Sequence, residues 1–298
     1  MKRVLAIIMV FVMISLSGCV IDLEDGLEIG IGDDRISIDV GDENFELGDL
    51  ETYNQDFDIG NEESLDVDIN VSAAKINIEK SEDKLFSGRV ESNIVGFDPR
   101  MELVGNSLLI KDNFKYRSIR SFKNNWDLKF TDQLPLKFDI TTNASKNDFD
   151  FTGLLISKFK LYANATDNYI RFDEKNKENM ESFEIDVNAG NLEVYGLGDA
   201  GPEEIEIDVN AGKIALEFGE NIDKDMEISI EGNASQTTLD LPDSVGVSIE
   251  KRSTLSSLDI DESEFIKGED GYKSNNYESA KYKIDIEVRG TAFNLTVR

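Results

Sequence analysis

Residues able to attack a carbon, shuttle a proton or hold a metal are scarce in this chain of 298 residues, which has no histidine and a single cysteine, Cys19. Without imidazole there are no Ser-His-Asp triads, no Cys–His nucleophiles and none of the usual zinc sites, and one thiol forms no intrachain disulfide. Two stretches nevertheless have chemical spacing. Gly196-Leu197-Gly198-Asp199-Ala200-Gly201 matches a dinucleotide-binding loop, a mechanism that needs a helix to begin at the glycines. Pro202 and the alternating Ile205, Ile207 and Val209 predict a loop and then a strand instead. Asp259-Ile260-Asp261-Glu262-Ser263 opens like a calcium loop, but Glu264 stands where that loop needs glycine, so it reads as solvated surface. Paired carboxylates can cleave polysaccharides, yet among 61 acidic residues no pair stands out. No catalytic residue, metal ligand or cofactor is expected.

Cys19 has a different chemistry. Met1-Lys2-Arg3 gives a positive start, Leu5 to Leu16 an apolar run of 12 residues, and Leu16-Ser17-Gly18-Cys19 the end of it. A membrane-spanning helix needs about 20 apolar residues, so residues 1–18 read as a removable export signal. The last four residues resemble the bacterial lipobox, in which cleavage before the cysteine is followed by lipidation of its thiol. Several acyl chains at ~0.8 kcal/mol per buried methylene make a stable anchor. Cys19 is therefore the expected lipidation site, and the chain is expected to be exported and lipid-anchored on the extracytoplasmic face of the cell membrane. Asn70, Asn143, Asn164, Asn233 and Asn294 each begin a glycosylation sequon, a reading that a bacterial export signal argues against.

Charge divides the chain beyond Cys19. Residues 20–63 hold 16 acidic residues and one basic residue, Arg35, and such self-repelling chain extends. Residues 19–63 are expected as an acidic tether holding the folded body off the bilayer; the alternations Ile29-Gly30-Ile31 and Arg35 to Val40 leave open an edge strand within it. The net charge of −30 excludes nucleic acid as a default partner, because that binding needs excess cations. One segment goes the other way. Residues 111–129 carry a net +4, with Lys115, Arg117, Arg120 and Lys123 interleaved among Phe114, Tyr116, Phe122 and Trp126. Those four cations are the candidate contact for an envelope protein or an anionic cell-wall polymer; a surface crossing with Trp126 in the core is the plainer account.

The body itself repeats. Asn-Ala recurs at Asn143, Asn164, Asn188, Asn210 and Asn233, spaced by 21, 24, 22 and 23 residues. Each copy follows an alternating strand, such as Phe183, Ile185, Val187 or Ile205, Ile207, Val209, and most precede a second one, such as Leu192 and Val194. Period-two alternation predicts half-buried strands, and beyond the export signal no stretch holds a helical period. One such unit cannot bury its apolar face alone, but stacked units bury a continuous core. The expected fold is all-β, a single-stranded β-helix-like solenoid of about 22-residue rungs, with seven or eight rungs stacked in chain order. Asn is expected at each corner, in left-handed geometry, with the amides stacked as a ladder. Residues 64–130 are expected as an N-terminal β portion and 131–298 as the repeat domain, with further rungs or caps at Leu65 to Ile78 and Tyr282 to Val297.

Trp126-Asp127-Leu128, Leu134-Pro135-Leu136-Lys137-Phe138-Asp139-Ile140, the Asn-Ala repeats, Leu241-Pro242-Asp243-Ser244-Val245-Gly246-Val247 and the closing strand before Gly290 resemble the bacterial toast-rack β-repeat family. That family includes the C-terminal domain of LiaF-type proteins of the cell-wall antibiotic response. The resemblance implies a non-enzymatic β-helical module at the membrane, binding or scaffolding in envelope stress, with no catalytic residues to carry over. A surface adhesin or calcium-tuned cell-wall binder, and a β-helical polysaccharide-active enzyme, remain the alternatives.

Overall fold

Phe138, Phe159, Phe183, Ile205, Ile228 and Ile286 come from six successive levels of one sheet and lie directly over one another in parallel register. The structure, a computed structural model, describes residues 19–22, 28–31, 34–36, 47–113, 122–252, 255–269 and 271–298. The column runs on through Val67 to Leu108 at one end and to Ile249 at the other. Beside it stands a second column, Ile69, Ile140, Leu161, Ile185, Ile207, Ile230 and Val288. Past each corner the second strand of the rung builds a third, Ile78, Phe149, Ile170, Val194, Leu216, Leu239 and Val297. All of these are buried, each contributing up to about 1.5–3 kcal/mol in area removed from water. The fold is the expected all-β solenoid.

Composition changes along the core. Phe57, Phe86, Phe130, Phe138, Phe151, Phe159 and Phe183 form a continuous chain of ring contacts with centroids 5.0–6.1 Å apart. From Ile205 onward the same column is aliphatic. Trp126 is fully buried at the aromatic end, its indole N–H donating to Asn124 Oδ1 at 2.9 Å. That matches the plainer account of Trp126 as core.

The corners hold the expected amide ladder. Asn143 donates to Ser72 Oγ, Asn164 to Asn143 Oδ1 at 2.9 Å, Asn188 to Asn164, Asn210 to Asn188 at 2.8 Å and Asn233 to Asn210 at 3.4 Å. Thr291 Oγ1 donates to Asn233 and closes the series. The left-handed residue, however, is the alanine that follows the ladder residue: Ala144, Ala165 and Ala234 after asparagine, Ala73 after Ser72 and Ala292 after Thr291 have φ between 47° and 60°. The amide needs its side chain in line with the rung below, so the strain passes to the next residue, at roughly 1–2 kcal/mol per alanine. In Asn188-Ala189-Gly190 and Asn210-Ala211-Gly212 the glycine makes the close approach instead. A Cβ on Gly190 would meet Thr166 O at 1.9 Å, and one on Gly212 would meet Gly190 O at 2.0 Å.

Chain order and stacking order part company at both ends. Leu65–Ser72 pairs with Leu136–Asn143 on one side and Ser107–Lys111 on the other, so Leu65–Lys80 is a full rung of the same sheet as the later repeats. The chain leaves it through Phe86–Ile94, Arg100–Val104, Ser107–Lys111 and Asn124–Phe130 before returning at Leu136. At the far end the last strand, Lys283–Val297, is inserted between the rung of Met226–Asn233 and Ser235–Asp240 and the outer strands Gly246–Lys251 and Leu255–Asp259. Antiparallel pairs close both ends, Phe86–Ile94 with Asn124–Phe130 and Gly246–Lys251 with Gly271–Ser274. The Gly196–Gly201 stretch contains one helical turn, Leu197–Ala200, between left-handed Gly196 and Gly201, where a loop without helix was expected. Of the expected tether, Cys19–Asp22, Glu28–Ile31 and Asp34–Ile36 form a small antiparallel sheet. Leu47–Phe57 joins the main sheet by pairing with Phe86–Ile94, at residues outside the alternations on which an edge strand was weighed.

Because Ala234 is exposed and carries left-handed strain, Ala234→Gly is expected to raise the thermal midpoint. Ala234→Val is expected to lower stability by about 1–2 kcal/mol, since a β-branched side chain tolerates positive φ least. Calorimetry of the pair measures both.

Candidate functional site

Stacking in register turns alternate outward residues into rows, and the rows decide what each face presents. On the face of the first strands, Lys137, Lys158 and Lys160 occupy the levels nearest the aromatic core. They are neutralised across rungs: Lys137 faces Asp66 at 3.7 Å, and Lys158 and Lys160 both reach Glu184, at 2.9 and 3.1 Å. Burial opposes ionisation of Glu184, but the hydrogen bonds of Lys158, Lys160 and Ser182 outweigh it and hold the carboxyl down to about 2. Lys160 also lies over the ring of the exposed Tyr162, 4.9 Å from its centroid.

Beyond Glu184 acids dominate until the outer levels, where Arg289 binds Glu287 at 2.6 Å and Arg252 reaches Glu250 at 2.7 Å and Glu287 at 3.2 Å. Glu184, Glu206 and then Ser229 and Glu287 share one row, while Asp186, Asp208 and Glu231 share the next, which ends on Arg289. Glu204, Glu227 and Asp285 form a third. An open groove of about 440 Å³ runs among Glu204, Glu206, Glu227, Glu250, Asp285 and Glu287. Like charges in adjacent strands repel. Asp208 shows the consequence: loss of water around it, then the charges of Glu231, Asp186 and Glu206, raise its carboxyl above the ordinary range. The other face is mixed, with Tyr169 and Tyr195 packed at 5.0 Å on neighbouring rungs and Tyr195 Oη donating to Glu193 at 2.9 Å. A second open groove, about 320 Å³, lies at the C-terminal cap between Leu241, Val247, Val297 and Phe265.

Of the residues expected to act, Cys19 stands at the start of the small sheet, in register with Ile31. Lys115, Arg117 and Arg120 lie outside the described residues. Lys123 is described, and its ammonium is bound to Glu91 at 2.8 Å while its backbone N–H donates to Asn93 Oδ1 at 2.7 Å. The calcium-like loop forms a turn in which Ser263 donates to Asp261 from both N and Oγ. Among the described residues no three acidic side chains converge as metal ligands, and no helix is long and apolar enough to cross a membrane. The acidic rows were legible as Glu204-Ile205-Glu206-Ile207-Asp208-Val209; their alignment across rungs needed the register.

A model of the toast-rack family's N-terminal domain (DUF2154) matches residues 46–195. The chain belongs to the toast-rack family. The match begins at the strand Leu47–Phe57, ahead of the boundary at 64 expected from the repeat. No curated protein matches the chain. Among solved structures it is similar to a candidate cell adhesion protein from Clostridium sporogenes, at 16% identity and a TM-score of 0.44, covering 84% of this chain and 99% of that one. It is also similar to a candidate adhesin from Parabacteroides distasonis, at 13% identity and 0.43, covering 84% and 97%. A candidate lipid-binding protein from the same species matches at 13% and 0.31, covering 83% and 97%.

Since Asp208 is less costly protonated than charged, its contribution is favourable below the normal carboxylate range and is lost as pH rises through its raised value. Asp208→Asn is therefore expected to raise the melting midpoint at pH 7 by about 1–2 °C, a small gain because the site is exposed. The gain should vanish below about pH 3. Melting curves of the two proteins across pH check both sign and window.

Proposed function

We propose that this toast-rack protein is a non-enzymatic binding or scaffolding module of the bacterial envelope, exported and anchored to the membrane through a lipidated Cys19, and working within a membrane-stress response. The observation that carries the reading is the filled interior. The inward columns are packed mainly with Phe, Ile, Leu and Val, with Asn147, Asn168 and Thr237 as buried polar members of one of them, and the two grooves are open troughs on the outer surface rather than enclosed clefts. Such a body offers long rows of repeated side chains and suits contact with an extended or flat partner. Family membership supports the absence of catalysis.

The basic segment with Lys115, Arg117, Arg120 and Lys123 is proposed as the contact for an envelope protein or an anionic cell-wall polymer. It lies in residues 111–129, which carry a net +4 in a chain of net charge −30, and opposite charge speeds encounter with an anionic surface.

Two measurements test these readings. Cells expressing the chain should incorporate a labelled fatty acid into it, and it should partition into detergent; Cys19→Ser should lose both, and a Cys19→Ser protein that still labels would overturn the anchor. Replacing Lys115, Arg117 and Arg120 together by Ser should weaken binding to envelope extracts, and unchanged binding would remove that segment from the proposal.

A further inference from the structure

The strand Leu47–Phe57 is the longest in the described structure with an open side. It spans 11 residues, of which Leu47 and Glu51–Phe57 pair antiparallel with Phe86–Ile94, and no other described strand pairs with it. The other strands with one partner are short, such as Arg100–Val104 and Leu255–Asp259. From Glu51 to Phe57 the pairing is continuous, so the far side offers an unbroken run of backbone donors and acceptors. A row of this kind is a template for another strand.

Three features of the edge say what it accepts. Tyr53 and Phe57 are pinned from below, by ring contacts with Phe97 and Phe86 at 6.1 Å, so the strand is held flat against the body. Its only charged residues are Asp49, Glu51 and Asp56, with no Lys or Arg between 47 and 63; Asp58, just beyond it, is bound by Lys84 at 2.6 Å. At its entry Leu47, Leu50 and Val95 are 44%, 50% and 54% exposed, with Val95 against Gly48. A second copy laid along the same edge would oppose acid with acid, which is unfavourable in adjacent strands. A Lys- or Arg-bearing extended segment would meet opposite charge and leave its apolar residues for the leucines.

We infer that the outer edge of Leu47–Phe57 is a strand-addition site for an extended, basic segment of a partner protein. Main-chain hydrogen bonds to Glu51–Phe57 supply the attachment, and Asp49, Glu51 and Asp56 select for positive charge. The inference is separate from what the long faces and the Lys115 segment bind, and it does not depend on the anchor, so its failure leaves those readings as they stand.

The test uses the full chain and a fluorescent octapeptide alternating Lys and Val, capped at both ends. Anisotropy should show saturable binding that weakens as salt rises. N-methylating alternate peptide amides, or substituting D49N, E51Q and D56N together, should each weaken it by about tenfold or more, the equivalent of ~1.4 kcal/mol. Amide exchange should slow within residues 51–57 on binding. The substituted residues are exposed, and an unchanged melting curve confirms that the triple variant folds. Equal binding of the N-methylated peptide, or no added protection at 51–57, would overturn strand addition. A concentration-dependent dimer in sedimentation that slows amide exchange within residues 51–57 without peptide would assign the edge to a second copy instead and overturn it as well.

Discussion

A rung has apolar side chains on one side only, and with nothing above or below it that side would stay wet. Parallel stacking in register removes the water, because the same inward position recurs at each level and Phe138, Phe159, Phe183, Ile205 and Ile228 become one column. The interior is close-packed, so register is not free to slip: a one-residue shift would send every inward side chain outward. The asparagine ladder acts at the corners in the same sense. Each amide bond contributes roughly 0.5–1.5 kcal/mol, comparable to the strain of the left-handed alanine beside it. The ladder thus offsets its own geometric cost, and what it adds is alignment.

A stack of parallel strands leaves two raw ends, and raw ends recruit further strands. This chain covers them by leaving the stack and coming back. At one end it detours through four strands between Lys80 and Leu136; at the other it passes Gly246–Lys251 and Leu255–Asp259 before slotting Lys283–Val297 behind them. The antiparallel pairings that result cannot propagate the 22-residue rhythm. One long edge, Leu47–Phe57, escapes this closure and carries acidic side chains.

Stacking also concentrates charge. Acidic residues that are ordinary along the chain become rows when rungs align; loss of water and then those neighbouring charges hold Asp208 above the normal carboxylate range, while Glu184, bonded by the lysines, is held near 2. The module therefore presents different electrostatic surfaces along one face, with lysine pairs at the aromatic end, acidic rows around Glu206, Asp208 and Glu227 in the middle, and Arg252 and Arg289 bound to Glu250 and Glu287 at the outer end. A partner reading that face meets a gradient, and opposite charge governs encounter more than final affinity.

Local pattern was enough for what each residue decides with its nearest neighbours. Alternation marked the strands, the 21–24-residue recurrence marked the rungs, the Asn-Ala pairs marked the corners and their ladder, and Cys19 behind Leu16-Ser17-Gly18 marked the proposed anchor. Nonlocal choices were not legible. That Ala rather than Asn takes positive φ comes from the need to align each amide with the rung below. That Lys283–Val297 sits inside the stack, and that Leu47–Phe57 is an edge strand, depends on which backbone groups remain open once every other rung is placed. Periodicity states that a strand has an apolar side; it carries no information about which of several equivalent neighbours will cover it, because every rung offers the same hydrogen-bond spacing and only the lengths of the connections and the closing of the ends distinguish them.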